Sequence, residues 1–104
     1  MTSRKANNST DSLVKSRKKV KKPDLYKVIM LNDDFTTMDF VVDILINIFG
    51  KNMFEATDIM LTIHQKGRGV AGIYTFDIAK SKITQVEQRA SAEKFPLKCI
   101  MERA

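Results

Sequence analysis

The chain has 104 residues and a formal net charge of +6 at pH 7, with one histidine and one cysteine. That length fits one domain, and a lone cysteine beside a lone histidine excludes both an intramolecular disulfide and a His/Cys zinc site. No apolar run approaches the ~20 residues that span a bilayer, and no apolar signal core follows the basic start, so a soluble, cytoplasmic protein with no membrane partner is expected.

Residues 1–22 hold eight cations against Asp11, with apolar side chains too sparse to form a buried face. Such a segment cannot offset its ordering entropy, and it reads as a disordered basic arm. Residues 23–104 carry ten cations and eleven anions. A nucleic-acid reader needs a basic face on its folded domain. None is expected here, and the lysine run reads as solvated linker.

The folded part opens with Tyr26–Asn32 (YKVIMLN), apolar and β-prone, which stops at the turn-forming cluster Asn32-Asp33-Asp34. Thr36 then stands where it can cap a helix, with Asp39 three residues on in a capping-box-like pattern. That helix is expected to run to about Phe49 and end at Gly50. Its apolar positions nearly encircle it, so it reads as a central, buried helix. Asn52 and Glu55 form the capping box of a second helix, whose stripe Ala56, Ile59, Met60 and Ile63 recurs at helical spacing until Gly67. Gly69–Thr75 reads as a strand held by Val70, Ile73 and Tyr74. A third helix covers about Phe76–Glu93, Pro96 interrupts, and Leu97–Met101 is a last strand. The order β-α-α-β-α-β predicts an α+β sandwich of three antiparallel strands and three helices in one domain, 23–104.

The chemistry is sparse. There is no phosphate-cradling glycine loop, nucleophile elbow or HExxH helix, and one histidine cannot furnish a two-histidine acid–base design. No catalytic residue, metal site or cofactor is expected, and the chain does not read as an enzyme. Three features remain: the Asn32-Asp33-Asp34 corner, His64 bordering an apolar stripe, and methionines beside both. Each has a bland reading: a good turn, a boundary histidine and gap-filling core. Taken alone, the corner favours the first.

Together they form a longer pattern. The run Tyr26–Asp43 (YKVIMLNDDFTTMDFVVD), with Ala56–His64, Gly67, Gly72–Asp77, Lys82 and Phe95–Glu102, closely resembles the signature of the ClpS family, adaptors for the ClpA unfoldase. The resemblance covers essentially the whole folded part and none of the arm. It implies that Asn32, Asp33, Asp34 and His64 bind the free α-amine of a substrate and that Thr36 contacts its first backbone units. Met38, Val41, Met60, Ile63 and Leu97 would wall the pocket for the first side chain, which in the family is Leu, Phe, Tyr or Trp. Asp77 and Lys82 match the face that docks on the unfoldase's N-terminal domain. The implied partners are therefore a ClpA-type unfoldase and N-degron proteins, bound by a monomer that delivers them for degradation.

Thr37 departs from this pattern, because the family commonly has proline there. Proline would stiffen a first helical turn, so a looser loop is expected. A different class shares the element order: the C-terminal domain of the ribosomal stalk protein, a docking module with no amine pocket. The corner together with His64 separates the two, since a docking module has no need of converging acceptors.

Overall fold

The computed structural model describes residues 22–104; the arm expected over 1–22 lies outside the described residues except for Lys22. The chain order is β1 (Leu25–Leu31), α1 (Met38–Asn47), α2 (Met53–Lys66), β2 (Arg68–Thr75), α3 (Phe76–Ala92) and β3 (Lys98–Arg103). The three strands form one antiparallel sheet in the order β2-β1-β3. This is the expected α+β architecture.

β1 is central because its residues serve both faces of the sheet. Val28 and Met30 are fully buried in the core with Phe40, Val41, Ile44 and Leu45 of α1. The intervening Ile29 is also buried, but it lies outside that cluster, in register with Val70 on one side and Ile100 on the other. Period-two alternation accounts for this division. β2 breaks the alternation. Val28 pairs with Gly72 and Ile29 with Val70, so Ala71 is the extra residue of a β-bulge. The bulge buries Ala71 and leaves Val70 and Ile73 exposed. The expectation that Val70 and Ile73 hold this strand is therefore corrected, because the alternation slips by one residue at Ala71.

The helix ends are set by local chemistry. Asn52 and Glu55 make a reciprocal capping box, with bonds of 2.8 and 3.0 Å, and Gly67 closes α2 at φ 87°. α1 starts one residue later than expected. Its cap is Thr37, whose hydroxyl accepts from the Phe40 N–H at 3.2 Å. Thr36 is unavailable because its own N–H and hydroxyl both donate to Asp33. α1 is buried on Phe40, Val41, Ile44 and Leu45 and exposes Met38, Asp39 and Asn47, so it is not enclosed on all sides.

α3 is tied to α1 at two points. Arg89 pairs with Asp43 and lies over the Phe40 ring, 5.7 Å from its centroid. Lys82 Nζ donates to the Ile48 carbonyl at 2.7 Å, at the C-terminal end of α1, where a cation meets the negative pole of the helix. α3 ends in a Schellman motif: the Phe95 N–H donates to the Ala90 carbonyl and the Lys94 N–H to the Ser91 carbonyl. Lys94 takes the left-handed position, with φ 63°. Among the described residues, no helix is long and apolar enough to cross a membrane.

Candidate functional site

The corner after β1 is built by one carboxylate. Asp33 Oδ1 accepts from the N–H groups of Phe35 (2.8 Å) and Thr36 (2.7 Å), and Oδ2 accepts from the Thr36 hydroxyl (2.7 Å). An aspartate that folds its own following residues in this way makes an Asx-type turn. Burial pushes the Asp33 carboxyl up, but the three hydrogen bonds outweigh it and hold the group below its ordinary value. Oδ1 is filled by its two donors. Oδ2 keeps a lone pair, and no side-chain hydrogen bond within the described residues engages Asp34.

The corner is also joined to the far end of α2. The Asn32 N–H donates to the Gly67 carbonyl at 2.9 Å, just beyond the residue where α2 stops. His64 lies one turn before that stop, so the link brings the imidazole's helix end to the corner. Between them is a cavity of about 440 Å³ lined by the corner residues 32–37, Met38, Val41, Met60, Ile63 and His64. Val41 and Ile63 are buried walls, and Met38, 45 % exposed, stands at the rim. Lone pairs and charge lie along the corner and the α2 terminus, while α1 and α2 supply the apolar sides.

Nine of the ten residues read from the sequence as ligand-binding meet in this cavity: Asn32, Asp33, Asp34, Thr36, Met38, Val41, Met60, Ile63 and His64. Leu97 does not line it. It is buried and borders a neighbouring hollow with Phe35 and Phe95, because the chain arrives at β3 on the far side of the corner. Two further lining residues were missed, Phe35 and Thr37. Phe35 is 74 % exposed, and an aromatic side chain between turn residues was the available signal.

The two positions implied for docking are differently placed. Asp77 is exposed in the first turn of α3, flanked by the half-exposed Phe76 and Ile78. Lys82 is partly buried and holds the end of α1. Five residues apart on a helix is about 140° around its axis, so the two do not share one face. Cys99 is buried on the inner face of β3, and desolvation together with the charge of Glu87 pushes its thiol up to about 12, which makes it an inert packing group. Among the described residues, no group of three or more His, Cys, Asp or Glu side chains is placed to hold a metal ion.

Comparison with known proteins agrees with this arrangement. Residues 21–100 match the family model described as ATP-dependent Clp protease adaptor protein ClpS. The ATP-dependent Clp protease adapter protein ClpS of Acetivibrio thermocellus is 56 % identical over 96 residues, covering 90 % of this chain and 97 % of that protein. Its namesake from Rhodospirillum centenum is 50 % identical over 95 residues, covering 91 % and 88 % respectively. The structure of Agrobacterium tumefaciens ClpS2 bound to L-phenylalaninamide superposes with a TM-score of 0.77 at 32 % identity, covering 80 % of this chain and 100 % of that one.

Proposed function

This chain belongs to the ClpS family of Clp protease adaptors, and we propose that it grips proteins by a first residue of Leu, Phe, Tyr or Trp and delivers them to a ClpA-type unfoldase. The observation that carries this reading is the single cavity in which apolar walls meet a rim of unfilled acceptors.

An α-amine has a pKa near 8 and is mostly charged at neutral pH. Drawing it into a pocket costs several kcal/mol (about 3–5 when a buried charge lacks partners) unless acceptors replace its water. The Asn32 side-chain oxygen, the open lone pair of Asp33 Oδ2, the Asp34 carboxylate and a ring nitrogen of His64 are the acceptors this rim offers. An internal peptide amide brings one N–H and no charge, so it cannot satisfy them. The site therefore distinguishes a chain's beginning from its interior. Burial of a Leu or Phe side chain between Met38, Val41, Met60 and Ile63 adds about 1.5–3 kcal/mol. Met38 at the rim would clash with a ligand branched at Cβ, so Ile and Val are excluded.

The ligand of the Agrobacterium neighbour supports this reading. L-phenylalaninamide has a free α-amine, a benzyl side chain and an uncharged amide where the next peptide bond would be. It is chemically the first residue of a protein that begins with Phe. Delivery would use the exposed start of α3, where Asp77 is flanked by Phe76 and Ile78, with Lys82 acting from within the fold.

The test is fluorescence anisotropy with peptides that differ only in their first residue, each with a free or an acetylated amine. Free Leu, Phe, Tyr and Trp peptides bind, Ile and Val peptides do not, and acetylation abolishes binding. Equal affinity for the free and acetylated forms would remove the amine site.

A further inference from the structure

Beyond the amine cavity, across Phe35, is a larger groove of about 770 Å³ lined by Phe35, the end of α3 and the turn into β3. Its volume falls in the range of ligand clefts, about 300–1,000 Å³. Ala90, Phe95, Pro96 and Leu97 give it an apolar floor, and its charged groups are Lys94, Lys98 and Glu87. Phe35 lines both hollows, so the two adjoin at one exposed aromatic side chain.

We propose that this groove receives the substrate chain beyond its first two residues and favours carboxylates at the third to fifth positions. The proposal rests on the amine-site reading and extends it. Thr36, the residue proposed to contact the first backbone units, is covalently next to Phe35. The Phe35 ring borders both hollows, and the proposed path of a peptide leaving the first cavity runs over it into the groove. An extended residue advances the chain about 3.3–3.6 Å, which carries the third residue clear of the first cavity.

Charge decides the preference. The ion pairs within the described residues join Arg68 to Glu102, Arg89 to Asp43 and Arg103 to Asp24. Neither Lys94 nor Lys98 has an ion-pair partner among the described residues, so the groove lining carries two cations against Glu87. The amine cavity has the opposite balance, with Asp33 and Asp34. An acidic residue at the second position therefore gains nothing, while one further along meets lysine. Lys94 also occupies the left-handed position of the Schellman motif, which glycine fills without strain. A side chain stands there at a cost to the helix end, and Lys94 is one of the residues that line the groove.

The experiment measures anisotropy on the full chain with Leu-initiated peptides carrying Asp/Glu, Ser or Lys at the third to fifth positions, at low and high salt. Acidic peptides are expected to bind about three- to fivefold tighter than the Ser series at low salt, with the gap closing at high salt. The double substitution Lys94→Gly with Lys98→Ser abolishes that gap and leaves the affinity of leucinamide unchanged. Lys94→Gly alone raises the melting temperature, so a folding defect cannot mimic the result. Leu peptides that bind equally whatever their downstream charge would overturn the groove while leaving the amine site intact. An acidic preference that survives the double substitution would overturn it too, by locating the effect elsewhere, the basic residues before Pro23 included. Loss of all Leu-peptide binding in the unsubstituted protein would remove both readings.

Discussion

Asp33 is the residue whose chemistry organises the site. Its carboxylate fixes Phe35 and Thr36 and thereby moves the helix cap to Thr37. The ring constraint that a proline would supply at position 37 is replaced by side-chain hydrogen bonds, since Thr37 contributes a cap that proline has no hydroxyl to make. Those bonds are not visible in the loss of a proline at Thr37 alone. Because folding lowers the Asp33 pKa, the stability it contributes is fully present above the unfolded-chain value of about 3.9 and is lost as pH falls through the lower folded value. Asp33→Ala should therefore cost about 1 kcal/mol near neutrality, with the gap to the unsubstituted protein closing below about pH 4. Thermal melts of both proteins from neutral pH down to about pH 3 measure it. A gap that persists undiminished in acid would assign the effect to packing instead.

At the scale of elements, the signals that proved legible are the ones a chain carries locally. The Asn52–Glu55 box and the Gly67 stop are read three residues apart, and both occur as expected. The bulge at Ala71 could not be read this way, because it is a relation between β2 and its partner. Nor could Gly69 be understood before the helix above it was known. A Cβ there would stand 2.8 Å from Ile63 Cγ1, so glycine is what lets β2 approach α2 closely. Ile63 is also a wall of the cavity between the corner and α2. Gly69→Ala should push that wall inward, destabilising the fold by roughly 1–3 kcal/mol and weakening Phe-initiated peptides more than Leu-initiated ones. Melting curves and the two affinities check this together, and equal losses for both peptides would show that Ile63 moves away from the cavity.

For the whole molecule, the fold class and element order were readable from periodicity and turn residues. The site was not readable from chemistry alone. Asn32 and His64 are more than thirty positions apart, and nothing in their spacing says that a backbone bond to Gly67 will join their neighbourhoods. Only the long pattern shared with the ClpS family links them in the sequence. Leu97 matches the same pattern and lines the adjacent hollow. If the start of α3 meets the unfoldase, Asp77→Arg combined with Phe76→Ser should reduce capture by an isolated unfoldase N-terminal domain at least tenfold. Leu-peptide affinity should be unchanged, because neither residue lines the cavity. Lys82→Met should act differently, lowering the melting temperature by freeing the end of α1.

The bond from Asn32 to Gly67 means that the rim acceptors exist as a set only while the last turn of α2 is wound. Under the proposed function, retention of a bound N-terminus is thereby tied to the folded state of α2. Unwinding that turn would then part the acceptors and release a bound N-terminus, with no separate latch required.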